Sequence, residues 1–305
     1  MHSEFSKGVL VVDKPEGPTS HDVVGRVRRV LREKRVGHAG TLDPLASGVV
    51  VVLVGPATRL SPYVTSDDKR YRATIRFGFA TTTCDREGDP LAPPAAVPSD
   101  LEARLRTALD AWRGTHPQTP PAFSAKKIDG ERAHRLARRG EAVAPAAVAV
   151  TLKDWTLVGV DGDTAVVDLH TSAGFYVRSL AHDVGVTIGC GAHLAALRRT
   201  ASGRFTLDQA VPLPAADAPP EAVRPALRPM ADVLDAWPAA IVTGAGAARV
   251  GHGAFIGPDT CTTWPSFPGA EAPDGPSVRI LDADGRLLAL AAWRGGLLHP
   301  AVVLA

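Results

Sequence analysis

Gly37-His38-Ala39-Gly40-Thr41-Leu42-Asp43-Pro44-Leu45-Ala46-Ser47-Gly48 runs directly into Val49-Val50-Val51-Val52-Leu53-Val54. The valine run has no polar alternation, which predicts a strand covered on both faces. Ahead of it, three glycines and a proline surround one carboxylate. Such a composition bends the backbone tightly enough to bring Asp43 into the open. A phosphate-cradling loop does not fit, because G-K-[ST] is missing and a carboxylate repels phosphate. By spacing alone the stretch suits an Asp that caps a turn better than a catalytic one.

Upstream, Gly8 to Asp13 reads as a short strand ended by Lys14-Pro15-Glu16-Gly17-Pro18. A helix should follow, capped by Thr19 or Ser20. Its apolar stripe is Val23, Val24, Val27, Val30 and Leu31, with Arg26, Arg28, Arg29 and Arg32 on the opposite arc. Downstream, residues 69–78 alternate, placing Tyr71, Ala73, Ile75 and Phe77 on one face of a strand. Residues 86–98 form a Pro-rich loop. Ser99 and Glu102 predict a capping box for a helix with Leu101, Leu105, Ala108, Leu109 and Trp112 on its buried stripe. A loop over 114–123, a short basic helix over 131–139, strands over 148–157 and 164–170, and a helix over 176–188 complete this part. The order is not a repeating β-α alternation, so the fold class is α+β, not a doubly wound sheet.

Residues 211–229 are proline-rich and poor in charge, the composition of a linker or loosely packed arm. They divide the chain into residues 1–230 and 231–305. The second part holds short apolar runs with an Asp284-Gly285 turn between them, predicting a small all-β module; residues 264–276 read as a mobile loop.

At 305 residues, 45% hydrophobic and 22% charged, the chain has room for a large core and fits neither a disordered nor a fibrous class. The net charge of +2 hides an asymmetry: residues 1–204 carry +6 and residues 205–305 carry −4, so the first part is the polyanion-facing one. Cys84, Cys190 and Cys261 form no C-x-x-C, and the histidines form no H-E-x-x-H, so neither a disulfide framework nor a metal is indicated. The N-terminal apolar run is too short for a signal peptide or a membrane span, which predicts a cytoplasmic protein.

The segment around Asp43 is similar to the catalytic signature of the TruB family of pseudouridine synthases. In the family's order follow Asp68-Lys69-Arg70-Tyr71, Ser124-Ala125 with Lys127, Gly174-Phe175-Tyr176-Val177-Arg178-Ser179, and Cys190 to Leu194 with Leu197-Arg198-Arg199. Gly8 to Ser20 resembles the family's opening motif. The resemblance implies a pseudouridine synthase fold: a mixed, largely antiparallel central sheet flanked by helices, plus a C-terminal module of PUA type. It implies conversion of uridine 55 in the T-arm of tRNA to pseudouridine by base flipping. Asp43 is then the catalytic carboxylate, and Arg178 the cation that keeps it charged. Tyr71 stacks on the uracil, Tyr176 and Leu197 wall the base, and His38 helps occupy the vacated space. Arg59 and Lys127 meet phosphates. Read from the residues alone, Tyr71 fits a core tyrosine equally well, Arg178 a surface residue opening a helix, and Leu197 simple helix packing. The reaction has no net redox change and requires no cofactor or metal; a monomer is expected. Phe175 stands where a threonine is common in the family, and Thr82 where an acidic residue is.

Overall fold

The computed structural model describes residues 7–121, 127–128, 131–132, 139, 146–265 and 277–304. The chain runs β1 (Gly8–Lys14), α1 (Ser20–Leu31), β2 (Val36–His38), β3 (Ala46–Val54), α2 (Ser61–Thr65), β4 (Lys69–Phe77), α3 (Leu101–Ala111) and β5 (Gly114–Gln118). Then come two-residue strands β6 (Lys127–Ile128) and β7 (Glu131–Arg132), followed by β8 (Val148–Asp161), β9 (Thr164–Thr171), α4 (Val177–Ile188), β10 (Ala192–Ser202), β11 (Phe205–Thr206) and β12 (Val211–Pro212). The remainder is β13 (Ala239–Val242), α5 (Gly244–Gly251), β14 (Cys261–Thr263), β15 (Val278–Leu281), β16 (Leu287–Arg294) and β17 (Leu297–Val303).

One large sheet has the order β12-β1-β3-β10-β4-β9-β8-β5, with β2 added on β3 and β11 on β10. Its pairings are antiparallel except β1 with β12 and β3 with β10. A second sheet has the order β14-β13-β15-β16-β17. The expected α+β class with a mixed, largely antiparallel sheet is what the chain adopts.

The unbroken apolarity of β3 has a direct cause. Val50, Val52 and Val54 face a core shared with Val23, Val24 and Val27 of α1, while Val49, Val51 and Leu53 face a second core shared with Val9, Val11, Leu287, Leu290 and Leu304. The strand is therefore sandwiched between helices on one side and the smaller sheet on the other. In α1 the buried stripe is the expected one, and Thr19 is the cap, in a reciprocal box with Asp22. Strand β4 alternates as read.

Six expectations are corrected. The loop over 114–123 begins as a strand, since Gly114–Gln118 pairs antiparallel with β8 as β5. The cap of α3 is Asp100, not Ser99; the Leu101 N–H is already taken by the Pro98 carbonyl, and Glu102 is engaged by Arg106. The basic helix over 131–139 does not begin there, since Glu131 and Arg132 pair with Lys127 and Ile128 as strands; apart from Arg139 the rest of that stretch lies outside the described residues. The proline-rich arm is not loose: Val211 and Pro212 pair in parallel with Val12 and Asp13, and Val9 and Arg228 exchange backbone hydrogen bonds at 2.9 and 2.8 Å. The last module is not all-β, because α5 lies within it, capped by the Thr243 hydroxyl. Leu197 lies on a strand, β10, not on a helix. Register shifts at Leu194/Ala196 and Arg199/Ala201 break the period of two there, and Ala, Leu and Arg favour helix on their own. Of the expected mobile loop, residues 266–276 lie outside the described residues. No helix among the described residues is long and apolar enough to cross a membrane.

Gly48 shows how the Asp43 segment is fixed to the sheet. It has φ +106°, and a Cβ there would stand 2.2 Å from the Arg199 carbonyl oxygen and 2.8 Å from its nitrogen. The obstacle is backbone of the neighbouring strand, so it cannot step aside. Gly48→Ala is expected to cost at least about 3 kcal/mol from strain and overpacking, seen in a thermal melt as a Tm lower by roughly 6 to 10 °C.

Candidate active site

The Asp43 loop spans the gap between β2 and β3 and is stapled from three sides. Ser20, at the start of α1, accepts from the Leu42 N–H at 2.8 Å and donates to the Leu42 carbonyl at 3.1 Å. From the end of β1, the Lys14 Nζ donates to the carbonyls of Pro15 and Pro18 at 2.8 Å and of Pro44 at 3.4 Å. Arg199 on β10 donates through Nε to Val49 at 2.6 Å, through Nη1 to Thr41 at 3.1 Å, and through Nη2 to Gly40 at 3.2 Å. Lys14 and Arg199 are both buried. A buried cation persists only with acceptors around it, and here the bent loop supplies them as carbonyls. Burial lowers the Lys14 pKa to about 8, with the Asp43 charge the largest opposing influence.

This anchored loop forms one wall of a cavity of about 390 Å³, lined also by Lys69 and Tyr71 of β4, Tyr176 and Arg178 at the start of α4, and Leu197 of β10. Gln118 on β5 fixes that start, since its amide accepts from the Tyr176 N–H at 2.8 Å and donates to the Tyr176 carbonyl at 3.0 Å. The Arg178 guanidinium stands between two carboxylates. Its Nε lies 2.9 Å from the Asp43 Oδ2, and its Nη1 lies 3.2 Å from the Asp85 Oδ2. Asp85, only 3% exposed at its side chain, is fixed by the Thr83 hydroxyl at 2.6 Å and the Glu87 N–H at 3.0 Å. Asp43 keeps 34% of its side chain exposed. The inner carboxylate therefore locates the arginine, and the arginine holds the outer one at the cavity.

Tyr71 is buried on the apolar face of β4, and burial raises its phenol pKa, with Arg199 partly offsetting this. Leu197 pairs with Ala73 across the β10–β4 ladder and borders the same cavity. No cluster of three or more metal-ligating side chains occurs among the described residues.

The family model described as TruB family pseudouridylate synthase (N terminal domain) matches residues 28–177, and that described as tRNA pseudouridylate synthase B C-terminal domain matches residues 178–235. The tRNA pseudouridine synthase B of Solibacter usitatus is 41% identical over 304 residues, covering 97% of this chain and 99% of its own length. That of Thermobifida fusca is 45% identical over 310 residues, covering 99% of each. The chain belongs to the TruB family. It is accordingly a pseudouridine synthase, an isomerase. A chain of the Cbf5–Nop10–Gar1 complex shares its fold with a TM-score of 0.72 at 24% identity, over 99% of this chain and 86% of that one. A chain of the archaeal box H/ACA Nop10–Cbf5 complex does so with a TM-score of 0.70 at 25% identity, over 99% and 87%.

Within this TruB-family fold, five residues singled out from sequence, Asp43, Tyr71, Tyr176, Arg178 and Leu197, meet in one cavity. His38 does not line it. It sits half-buried on β2 opposite Val52, and burial, followed by the Arg199 charge, lowers its pKa. Arg59 is exposed and donates to the Val303 carbonyl of β17. The Lys127 side chain lies outside the described residues. Of the basic arc on α1, Arg26 and Arg28 donate to the carbonyls of Pro214 and Val36 at 3.0 and 3.1 Å, leaving Arg29 and Arg32 on the exposed side. Asp85, Gln118 and Lys69 have no expected role in the sequence, and Ser20 is expected there only as a possible helix cap. Asp85 sits among threonines whose only local signal is turn chemistry, and its partner is 93 residues away. Phe175 packs edge-on against Trp112 at 6.4 Å, and Thr82 accepts from the Asp89 N–H at 3.1 Å.

Proposed function

We propose that this protein isomerises uridine 55 in the T-arm of tRNA to pseudouridine, acting as a cytoplasmic monomer, with Asp43 as the carboxylate that meets the ribose. The observation that carries the reading is the Asp43–Arg178–Asp85 bridge opening on a cavity walled by Tyr71 and Leu197. Isomerisation breaks the bond from uracil N1 to ribose C1′, turns the base and joins C5 to C1′. It therefore needs an ionised carboxylate beside the sugar, a surface to hold the detached base, and exclusion of water that would trap the sugar.

Each need has a candidate group. Arg178 pairs with Asp43 at 2.9 Å and orients it toward the cavity. Tyr71 stacks on the extruded uracil, an interaction worth about 1–3 kcal/mol, which helps offset the few kcal/mol of unstacking. Leu197 and Tyr176 wall the base, and His38, beside the loop, fills the space the base leaves. Arg59, Lys127, Arg29 and Arg32 meet phosphates and position the RNA without reading sequence. Residues 231–305 act as a small PUA-like domain that adds modestly to binding, in keeping with the −4 charge of the last 101 residues. The relatives that cover nearly all of this chain are tRNA pseudouridine synthases, which favours tRNA over a guide-directed target.

The test is tritium release from a T-arm hairpin carrying 5-tritiated uridine, with the purified protein alone. Release is expected without any other RNA or protein; release only after a guide RNA is added would refute the reading. In the same assay Tyr71→Ala is expected to lower single-turnover release by roughly 10- to 100-fold, with hairpin affinity little changed. An equal loss of affinity would contradict the stacking role.

A further inference from the structure

Lys69 opens β4 two residues before Tyr71, on the same face of the strand, and lines the cavity together with Thr65. It is buried, and its Nζ donates to the Thr65 carbonyl at 2.9 Å and to the Asp67 carbonyl. Across the sheet its partners in register are Ser202 on β10 and Thr171 on β9. Both are fully buried, and their hydroxyl oxygens have no hydrogen-bond partner among the described residues. Buried hydroxyls are normally paired, so two orphans flanking one buried lysine beside a substrate cavity require a functional account.

We infer that Lys69 accepts the proton that leaves uracil C5. The inference rests on the isomerisation proposed above. When N1–C1′ breaks, the bonding pair leaves with the uracil, and C5 then bonds C1′ while still bearing its hydrogen. The C5–H bond must next break, its electrons restoring the C5–C6 double bond, and N1 must gain a proton. Lys69 as the free amine takes the proton from C5, and as the ammonium gives it to N1. The lysine ends as it began, and no outside acid or base is consumed.

The surroundings suit both states. A free amine has two N–H donors and one lone pair. The carbonyls of Thr65 and Asp67 occupy the two donors, which leaves the lone pair for an incoming proton. The ammonium has a third donor, and Ser202 and Thr171, whose hydroxyls are uncommitted among the described residues, are the residues paired with Lys69 on the two neighbouring strands. The charged groups facing Lys69 are Arg199 from β10 and Asp67 and Asp68 from the turn before β4, with Asp43 on the loop lining the same cavity. Burial, then Arg199, lowers its pKa to about 8 against the pull of Asp67 and Asp68, which leaves on the order of a tenth as amine at pH 7. The other candidates in the lining are less suited: Arg178 and Arg199 do not deprotonate, Asp43 is paired with Arg178, and burial keeps the Tyr71 phenol protonated.

Lys69→Arg keeps a cation and its donors but cannot lose a proton. In single turnovers on the T-arm hairpin, uridine is compared with 5-deuterouridine across pH. The wild-type rate should rise with pH through about 8, and its product also tests the parent reading independently. Lys69→Arg should bind the hairpin normally and form product about 100-fold more slowly or worse, with no rise near pH 8 and a larger deuterium isotope effect than the wild type. Lys69→Ala serves as a second variant and should show the same isotope effect. An isotope effect in both variants equal to that of the wild type, whatever the rates, would overturn the inference.

Discussion

Asp43→Asn is expected to eliminate pseudouridine formation while leaving the protein folded and able to hold a T-arm hairpin. Asparagine has almost the same shape as aspartate, and its carbonyl can still accept from the Arg178 Nε, which lies 2.9 Å from the native carboxylate. The loop itself is held by Ser20, Lys14 and Arg199 through backbone carbonyls, not through the Asp43 side chain. What disappears is the negative charge at the sugar. Losing an essential group that acts at the reacting bond costs at least about 10⁴-fold in rate, so tritium release should fall to background. Filter binding should give a Kd near that of the wild type. Residual release within tenfold of wild type, a loss of only about 1.4 kcal/mol in barrier terms, would remove Asp43 from the chemistry.

Arg178→Ala is expected to damage both stability and rate. The guanidinium is 7% exposed and the Asp85 side chain 3%, so the substitution strands a buried carboxylate with the Thr83 hydroxyl and the Glu87 N–H as its remaining donors. Removing one partner of a buried ion pair costs about 3–5 kcal/mol, a fall in Tm on the order of 10 °C. The second effect separates from the first in the double variant Arg178→Ala with Asp85→Asn. Removing the stranded charge should restore most of the melting temperature but none of the activity, because Asp43 still lacks its cation. Recovery of both together would make Arg178 a purely structural residue.

The sequence was most legible where one local rule decided the outcome. The valine run of β3 could only be a strand covered on both sides, and the 3.6-residue stripe of α1 matched its buried face residue for residue. It was least legible where distant partners override local preference. Strand β10, which joins β3 to β4 at the centre of the sheet, has a helix-prone composition and two register shifts, and only its neighbours make it a strand. The proline-rich arm follows the same logic, its backbone groups finding partners on β1 that its composition does not announce. In the cavity, motif resemblance located Asp43, Tyr71, Tyr176, Arg178 and Leu197. The groups that hold them, Asp85, Ser20 and Gln118, act through one or two hydrogen bonds each across 22 to 93 residues, which leave no periodic trace in the chain.

The most direct test of the central claim is a crystal structure of the Asp43→Asn protein bound to a T-arm hairpin. The account predicts the target uridine turned out of the RNA, its base against Tyr71 and Leu197, and its C1′ within about 3.5 Å of the residue 43 side chain. A uridine still stacked in the loop, or one in the cavity with its ribose turned away from residue 43, would contradict it.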